Sequence, residues 1–411
     1  MTVWQARVVS DTPVRKALLV EDVHVDAVRL LEGAGLQVHT LATAPREDDL
    51  VELVRDVAVL GIRSRTQVTE RVLSAAPDLL AIGAFCIGTN QIDLAGASAN
   101  GVAVFNAPFS NTRSVVELAI AEIIALTRRL TVKDDLMHAG VWDKSAGGSH
   151  EVRGRRLGIV GYGNIGTQLS VLAEALGMSV FFYDTADRLA LGNARRCGTL
   201  EELLATADVV SLHVDGRVGN SGFFGAEQFA MMQPGTLFLN LSRGFVVDHE
   251  ALHACILSGQ LAGAAVDVFP TEPAGRGEPF VSELRGLANV ILTPHVGGST
   301  EEAQQDIGHF VAGKLRDYVH DGASTLSVNL PALALPRPEG TRRVLLLHRN
   351  TPGVLAAVNS LLAEHGVNIE GQLLGTAGEV GYVITDTPTE RAPDLAAEIR
   401  RLPATIRLRT V

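Results

Sequence analysis

Three side chains that together can oxidise an alcohol stand at the ends of apolar runs in this chain. Arg243 follows FLNLS and precedes Gly244, Glu272 lies in DVFPTEP just beyond LAGAAV, and His295 closes NVILTP. Singly, each has an ordinary explanation: surface charge for the arginine and glutamate, a surface or satisfied core position for the histidine. Together they fit hydride removal from a 2-hydroxy acid. A planar guanidinium holds a carboxylate through two parallel hydrogen bonds. An imidazole takes the hydroxyl proton near neutral pH. A carboxylate beside it orients the ring and stabilises its cation.

Such a reaction needs a hydride acceptor, and the motif GYGNIG (Gly161 to Gly166) provides for one. It follows the apolar run RLGIV and opens the helical stretch TQLSVLAEALG, the context that gives a glycine motif its meaning. Gly161 permits the tight turn, Gly163 lets backbone approach a pyrophosphate, and Gly166 lets helix and strand pack closely. Asn164 and Ile165 belong to the same cofactor-binding turn, at a helix N-terminus that attracts anions. Asp184 ends the next apolar run, eighteen residues after Gly166, where a carboxylate accepts from both ribose hydroxyls. That charge repels a 2′-phosphate, so NAD is the expected cofactor.

The elements that must hold these groups are legible as a rhythm. ALLV, LQVH, VAVLGI, LLAIG and VAVFN alternate with helical stretches between residues 17 and 105, and a longer helical pattern carries the chain from Ser114 to Gly140. RLGIVG, SVFFYD, ADVVSLHV, TLFLNLS, LAGAAVDVF and NVILTP then form a second alternating series. Both series predict parallel sheets with right-handed crossovers, the second doubly wound. After a long helix beyond Thr300, Pro331, Pro336 and Pro338 mark a stiff linker. The last seventy residues read βαββαβ, a ferredoxin-like order.

Composition narrows the function classes. A formal charge of −11 excludes a polyanion-binding surface. Cys86, Cys197 and Cys255 lack metal-ligand spacing and suit a reducing compartment, so no metal is expected. No signal peptide or membrane-spanning run is visible, and the expected location is the cytoplasm.

NxxRG (Asn240 to Gly244), DVFxxEP (Asp267 to Pro273) and TPHxGGxT (Thr293 to Thr300) make the chain resemble the D-isomer-specific 2-hydroxyacid dehydrogenases. The resemblance implies Arg243, Glu272 and His295 as carboxylate anchor, orienting partner and acid–base. It adds Ser242, Arg243, Asp267, His295, Gly297 and Gly298 to the cofactor site, with Asp267 on the nicotinamide carboxamide. Pro294 would fix the approach of the histidine, and Gly297–Gly298 would let backbone pass close to the nicotinamide. The fold it implies is α/β: a Rossmann-type NAD-binding domain (111–298) inserted in a flavodoxin-like substrate domain (1–110 and 299–330). A linker (331–340) and a ferredoxin-like ACT regulatory domain (341–411) would follow.

Arg63 and Arg65, with Ser64 between them in IRSRT, suit a doubly charged phosphate. With NAPFSNTRSVVEL and the tail they make the chain similar to the family members that act on 3-phosphoglycerate, and Gly88 and Asn111 join the expected substrate residues. Two stretches depart from that pattern: Thr40 stands where a phosphate-binding lysine often lies, and Asp215 and Asn220 replace residues of the usual loop. HRNTPGVL and HGVNI resemble ACT-domain effector motifs, which implies an L-serine site on His348, Asn350 and Asn368. A small open-edged sheet gains from pairing with another subunit, and Trp142 resembles an inter-subunit arm residue, so a homo-oligomer, a tetramer, is expected. The rivals are a dehydrogenase for 2-hydroxyglutarate, glycerate or lactate, and a non-catalytic NAD sensor.

Overall fold

The computed structural model describes residues 7–8, 15–273, 277–388 and 392–411. It divides into two compact units, Met1–Ser110 with Gln304–Val411, and Asn111–Ala303. The cut follows the sequence rhythm, since each alternating series closes its own sheet.

In the first unit the strands Arg15–Val20, Leu36–Leu41, Val57–Ile62, Ala81–Ala84 and Ala103–Phe105 form a parallel sheet in the spatial order 2-1-3-4-5. This is the flavodoxin-like order. The central strand Val57–Ile62 is buried at every position. Helices cover both faces of such a sheet, so its strands read as unbroken apolar runs.

A second sheet of the same unit joins Thr341–Arg349, Gly371–Ala377, Val380–Pro388 and Thr405–Thr410 in the order 4-1-3-2, with antiparallel pairing. Helices Val354–Glu364 and Ala392–Arg401 complete the βαββαβ pattern. One strand was not legible: Arg7–Val8 adds in parallel to the outer edge of Thr405–Thr410. The opposite edge, Gly371–Ala377, has no further strand beside it among the described residues.

The two sheets of this unit share one core. Leu19, Phe105, Val311, Leu315 and Tyr318 pack in the same cluster as Leu345, Leu347, Tyr382 and Ile384. The proline-marked stretch joins it, because Leu330 and Leu333 are buried there and Leu335 packs against it. Ser324 and Leu333 fasten this stretch by a backbone bond of 2.8 Å and a side-chain bond of 3.0 Å. The sequence predicts a linker with a separate tail; the contacts gather both into one unit with the flavodoxin-like sheet.

Arginines complete that junction. The last carbonyls of helix Glu301–Asp321 carry the negative end of its dipole, and Tyr318 O already accepts from Gly322 N at 3.0 Å. Arg409 donates to Tyr318 O at 2.8 Å and lies over the Tyr318 ring at 4.5 Å. Arg343 donates to Asp321 O at 2.9 Å and grips Asp386 through two bonds of 2.7 Å. Both side chains of the Arg343–Asp386 pair are essentially inaccessible to water.

The second unit carries helix Thr112–Arg128 and a seven-stranded parallel sheet. Its strands are Arg156–Val160, Ser179–Tyr183, Arg195–Arg196, Val209–Leu212, Thr236–Asn240, Leu261–Val266 and Val290–Leu292, in the order 7-6-5-4-1-2-3. The reversal between Arg156–Val160 and Val209–Leu212 is the switch point of a doubly wound sheet, where ligands bind beyond the carboxyl ends of strands. No helix of the described residues is long and apolar enough to cross a membrane.

Breaking a buried ion pair on one side strands a charge in the core. Arg343→Ala should therefore lower unfolding free energy by about 3–5 kcal/mol in urea titrations. Replacing both partners, Arg343→Met with Asp386→Leu, should cost far less.

Candidate active site

Gly161 ends strand Arg156–Val160 with φ +93°, a conformation open to glycine and strained for other residues. A β-carbon there would lie 2.7 Å from the carbonyl oxygen of His213, which follows the neighbouring strand Val209–Leu212. Gly166 is equally obligatory, since a β-carbon would come within 2.3 Å of Gly161 O. A β-carbon on Gly163 would meet nothing within 4 Å, and no side chain caps the helix Asn164–Ala175 that begins there. The first-turn N–H groups thus open onto a backbone cradle suited to a pyrophosphate. Ile165 packs its side chain against the core, so backbone is what it offers.

Asp184 stands at the rim, accepting from Tyr162 N and Ala186 N, each at 2.8 Å. Arg188 approaches the same carboxylate at 3.5 Å. It also lines a recess with Tyr162, Gly163, Asn164, Thr167, Leu189 and Leu191. The pinned carboxylate, the open cradle and the helix end fit a dinucleotide.

At the far strand ends, Asp267 organises the chemistry. It accepts from Thr293 Oγ1 (2.6 Å), Val296 N (2.8 Å) and Gly297 N (2.9 Å), while its carbonyl accepts from His295 N (2.8 Å). These bonds hold His295 at φ +55°, a left-handed conformation uncommon for a residue with a side chain. The turn aims the imidazole at Glu272, with Nδ1 2.9 Å from Oε2. The other oxygen, Oε1, accepts from Phe269 N at 3.1 Å.

The electrostatics of the pair follow. The Glu272 hydrogen bond raises the His295 pKa above its usual 6.5 despite burial, with Arg243 opposing. Burial alone would raise Glu272; the bonds from His295 and Phe269 and the charges of His295 and Arg243 outweigh it and lower its pKa. The arrangement suits an imidazole that cycles between neutral and charged beside a fixed anion.

Arg243 sits at the third strand end. Asn240 braces its turn by accepting from Ser242 N at 3.1 Å and Ser242 Oγ at 2.7 Å, and by donating to Arg243 O at 3.2 Å. The guanidinium donates to Ser242 O at 2.7 Å. Gly244 must be glycine, since a β-carbon would lie 1.9 Å from the carbonyl carbon of Phe269. The arginine turn therefore abuts the loop carrying Glu272. Arg243, Asp267, Glu272 and His295 thus come together in one unit, as expected from their strand ends.

Gly298 has a reason unlike the expected one. A β-carbon there would meet the Asn111 amide at 2.1 Å, so this glycine makes room for Asn111. The remaining substrate candidates, Arg63, Ser64, Arg65 and Gly88, lie in the other unit. Gln91 ties their loops together by donating to Arg63 O (2.7 Å) and Gly88 O (3.2 Å). In the same unit, the His348 ring stands 2.8 Å from Arg349 O through Nδ1, and its buried Nε2 has no partner among the described residues. Asn350 donates to Gly378 O at 3.0 Å, and Asn368 is exposed.

Two residues of the second unit escape a sequence reading. His213, beside the Gly161 turn, stacks burial on neutrality: Nε2 lies 2.9 Å from Ser211 Oγ, and burial pushes its pKa down to about 4. Glu122 is buried in helix Thr112–Arg128, with neither carboxyl oxygen partnered among the described residues. Burial, then the charge of Asp267, pushes its pKa up to about 8. Its signal was weak, one glutamate on the apolar face of AIAEIIAL.

Known proteins supply the context. Residues 120–297 match the family described as the D-isomer specific 2-hydroxyacid dehydrogenase NAD binding domain, and residues 344–407 match an AHAS small subunit-like ACT domain. The D-3-phosphoglycerate dehydrogenase of Haemophilus influenzae is 48% identical over 96% of this chain and 97% of its own. That of Escherichia coli is 49% identical over the same shares. The solved D-lactate dehydrogenase of Aquifex aeolicus, complexed with NAD and lactic acid, superposes with a TM-score of 0.64 at 26% identity, over 74% of this chain and 95% of its own.

Glu122 yields a pH test. Its folded-state pKa lies above the ordinary 4.5, so unfolding releases a proton between there and about 8, and stability falls as pH rises through that window. Glu122→Gln should remove this slope, so melting curves should show its advantage over wild type growing from pH 5 to pH 8. A braced imidazole, a fixed carboxylate and a guanidinium at the ends of a dinucleotide-binding sheet, in a chain so closely related to these enzymes, place it in the D-isomer-specific 2-hydroxyacid dehydrogenase family as an NAD-dependent dehydrogenase.

Proposed function

We propose that the chain oxidises D-3-phosphoglycerate to 3-phosphohydroxypyruvate, the first committed step toward serine. The observation that carries this reading is the His295–Glu272 pair at 2.9 Å, set by Asp267 in the same unit as Arg243. The near-full-length likeness to D-3-phosphoglycerate dehydrogenases supports the substrate.

Bound NAD would supply the hydride acceptor for C2. Gly161, Gly163, Asn164, Ile165 and Gly166 would hold its pyrophosphate, Asp184 its ribose, and Ser242, Asp267, Gly297 and Gly298 would line its nicotinamide end. Arg243 binds the substrate carboxylate and fixes C2. His295 Nε2 faces away from Glu272 and receives the hydroxyl proton, while the anion at Nδ1 stabilises the charge that results. Arg63, Ser64 and Arg65 hold the phosphate, with Gly88 and Asn111 completing the substrate contacts. Thr40, where relatives of this kind often have lysine, leaves the phosphate to these arginines.

The tail serves as a serine sensor through His348, Asn350 and Asn368. The buried Nε2 of His348, without a partner among the described residues, supports this role, because an orphaned polar atom gains from a ligand. A tetramer is the proposed assembly. Its support lies in the edge strand Gly371–Ala377, which has no outer strand partner among the described residues, and in the exposed apolar side chains of Leu130, Met137, Val141 and Trp142.

The decisive assay follows absorbance near 340 nm with NAD and a panel of hydroxy acids at alkaline pH. D-3-phosphoglycerate should give the highest kcat/KM; preference for D-lactate or 2-hydroxyglutarate would overturn the assignment. His295→Ala should lower turnover by roughly two to four orders of magnitude with NAD binding largely intact. In Glu272→Gln the raised histidine pKa loses its main cause. The acid limb of kcat/KM for oxidation, which requires neutral imidazole, should therefore move to lower pH, with a reduced plateau.

A further inference from the structure

Glu21 follows strand Arg15–Val20 and is a buried carboxylate, 3% exposed. In sequence it is an unremarked acid in LLVEDV. Its oxygens are filled by one loop, through three backbone N–H groups and one guanidinium. Oε1 accepts from Thr66 N at 2.8 Å and Arg63 N at 3.1 Å, and Oε2 from Arg65 N at 3.1 Å and Arg65 Nε at 3.4 Å. The Glu21 carbonyl also accepts from Arg63 Nη1 at 3.5 Å.

Four N–H donors converging on one carboxylate stabilise its charged form. Burial alone would raise its pKa, yet the donors from Thr66, Arg65 and Arg63 outweigh that and hold it below the ordinary value. The residue adopts φ +69°, a strained conformation that a packed network can hold. Turned inward, Arg63 N, Arg65 N and Thr66 N are spent on Glu21. What the loop presents outward is the exposed Ser64, the half-exposed Arg65 side chain and the partly exposed Arg63. Gln91 closes the same loop from the other side through Arg63 O at 2.7 Å.

We infer that Glu21 is a positioning residue for substrate specificity, a built-in anion that templates the Arg63–Thr66 loop so that its guanidiniums meet the substrate phosphate as a preformed pair. This rests on the reading that Arg63 and Arg65 bind that phosphate. The carboxylate never touches substrate; it fixes the loop backbone and offsets part of the charge that two neighbouring arginines would otherwise carry alone. Preformed geometry lowers the ordering cost of binding, which appears in KM and leaves the chemical step untouched.

The test is a KM-against-kcat split in Glu21→Gln, which keeps size but turns an amide N–H₂ toward backbone donors. Its KM for D-3-phosphoglycerate should rise about tenfold, the scale of one charge-assisted hydrogen bond, with kcat within about twofold. The KM for NAD should not change. A merely structural role behaves differently, because a smaller folded fraction lowers apparent kcat and leaves KM alone. If Glu21→Gln fails to fold, Glu21→Asp retains the charge with a shorter reach and should raise KM about threefold. An unchanged KM in the folded variant overturns the inference. Arg63→Ala and Arg65→Ala run alongside. If they raise KM while the Glu21 variant does not, the phosphate reading stands and the positioning role fails. If they too leave KM unchanged, the phosphate reading itself is wrong.

Discussion

The geometry of the candidate site hangs on the carboxylate of Asp267. Left to itself a histidine adopts φ +55° only as a minor conformation, and a proline before it does not impose it. What holds the turn is a ring of bonds from Thr293, Val296 and Gly297 to one buried side chain, with the backbone of the same residue holding His295. Remove that ring and nothing in the apolar strand Val290–Leu292 dictates where the imidazole points. Glu272 then loses its partner, and the raised pKa of the imidazole loses its main cause.

The same device recurs in the other unit at a different scale. Asp267 and Glu21 are both buried acids beside strand ends, and each takes backbone N–H groups from a loop of candidate site residues. A buried carboxylate that accepts several donors is stable as an anion and rigid. Loops that carry function are otherwise the least constrained parts of such folds. Glu122 is the counterexample: a buried acid with no donors among the described residues, pushed toward its protonated form first by burial and then by the charge of Asp267.

Much of the frame was legible because parallel strands covered on both faces leave long apolar runs. VAVLGI and RLGIV appear as strands over those residues, and LLAIG overlaps the strand Ala81–Ala84. Arg243, Glu272 and His295 were legible for a related reason, since each follows such a run directly. The hidden parts depend on contacts distant in sequence. Arg7–Val8 pairs with a strand some four hundred residues away, and no local pattern announces such pairing. The prolines of residues 331–338 read as a spacer, yet buried leucines among them decide their fate. Glu21 and Glu122 look like single charges at the margin of apolar stretches, and only burial tells them apart from surface acids.

The central claim is that Asp267 sets the imidazole in place, and turnover of Asp267→Asn at saturating NAD and substrate tests it most directly. The amide keeps one acceptor oxygen and turns a donor N–H₂ toward the other bonds, so the turn should relax and kcat should fall about a hundredfold, the penalty of roughly an ångström of misplacement. The melting temperature should stay close to that of wild type. A kcat within about twofold of wild type in that folded variant would contradict the account.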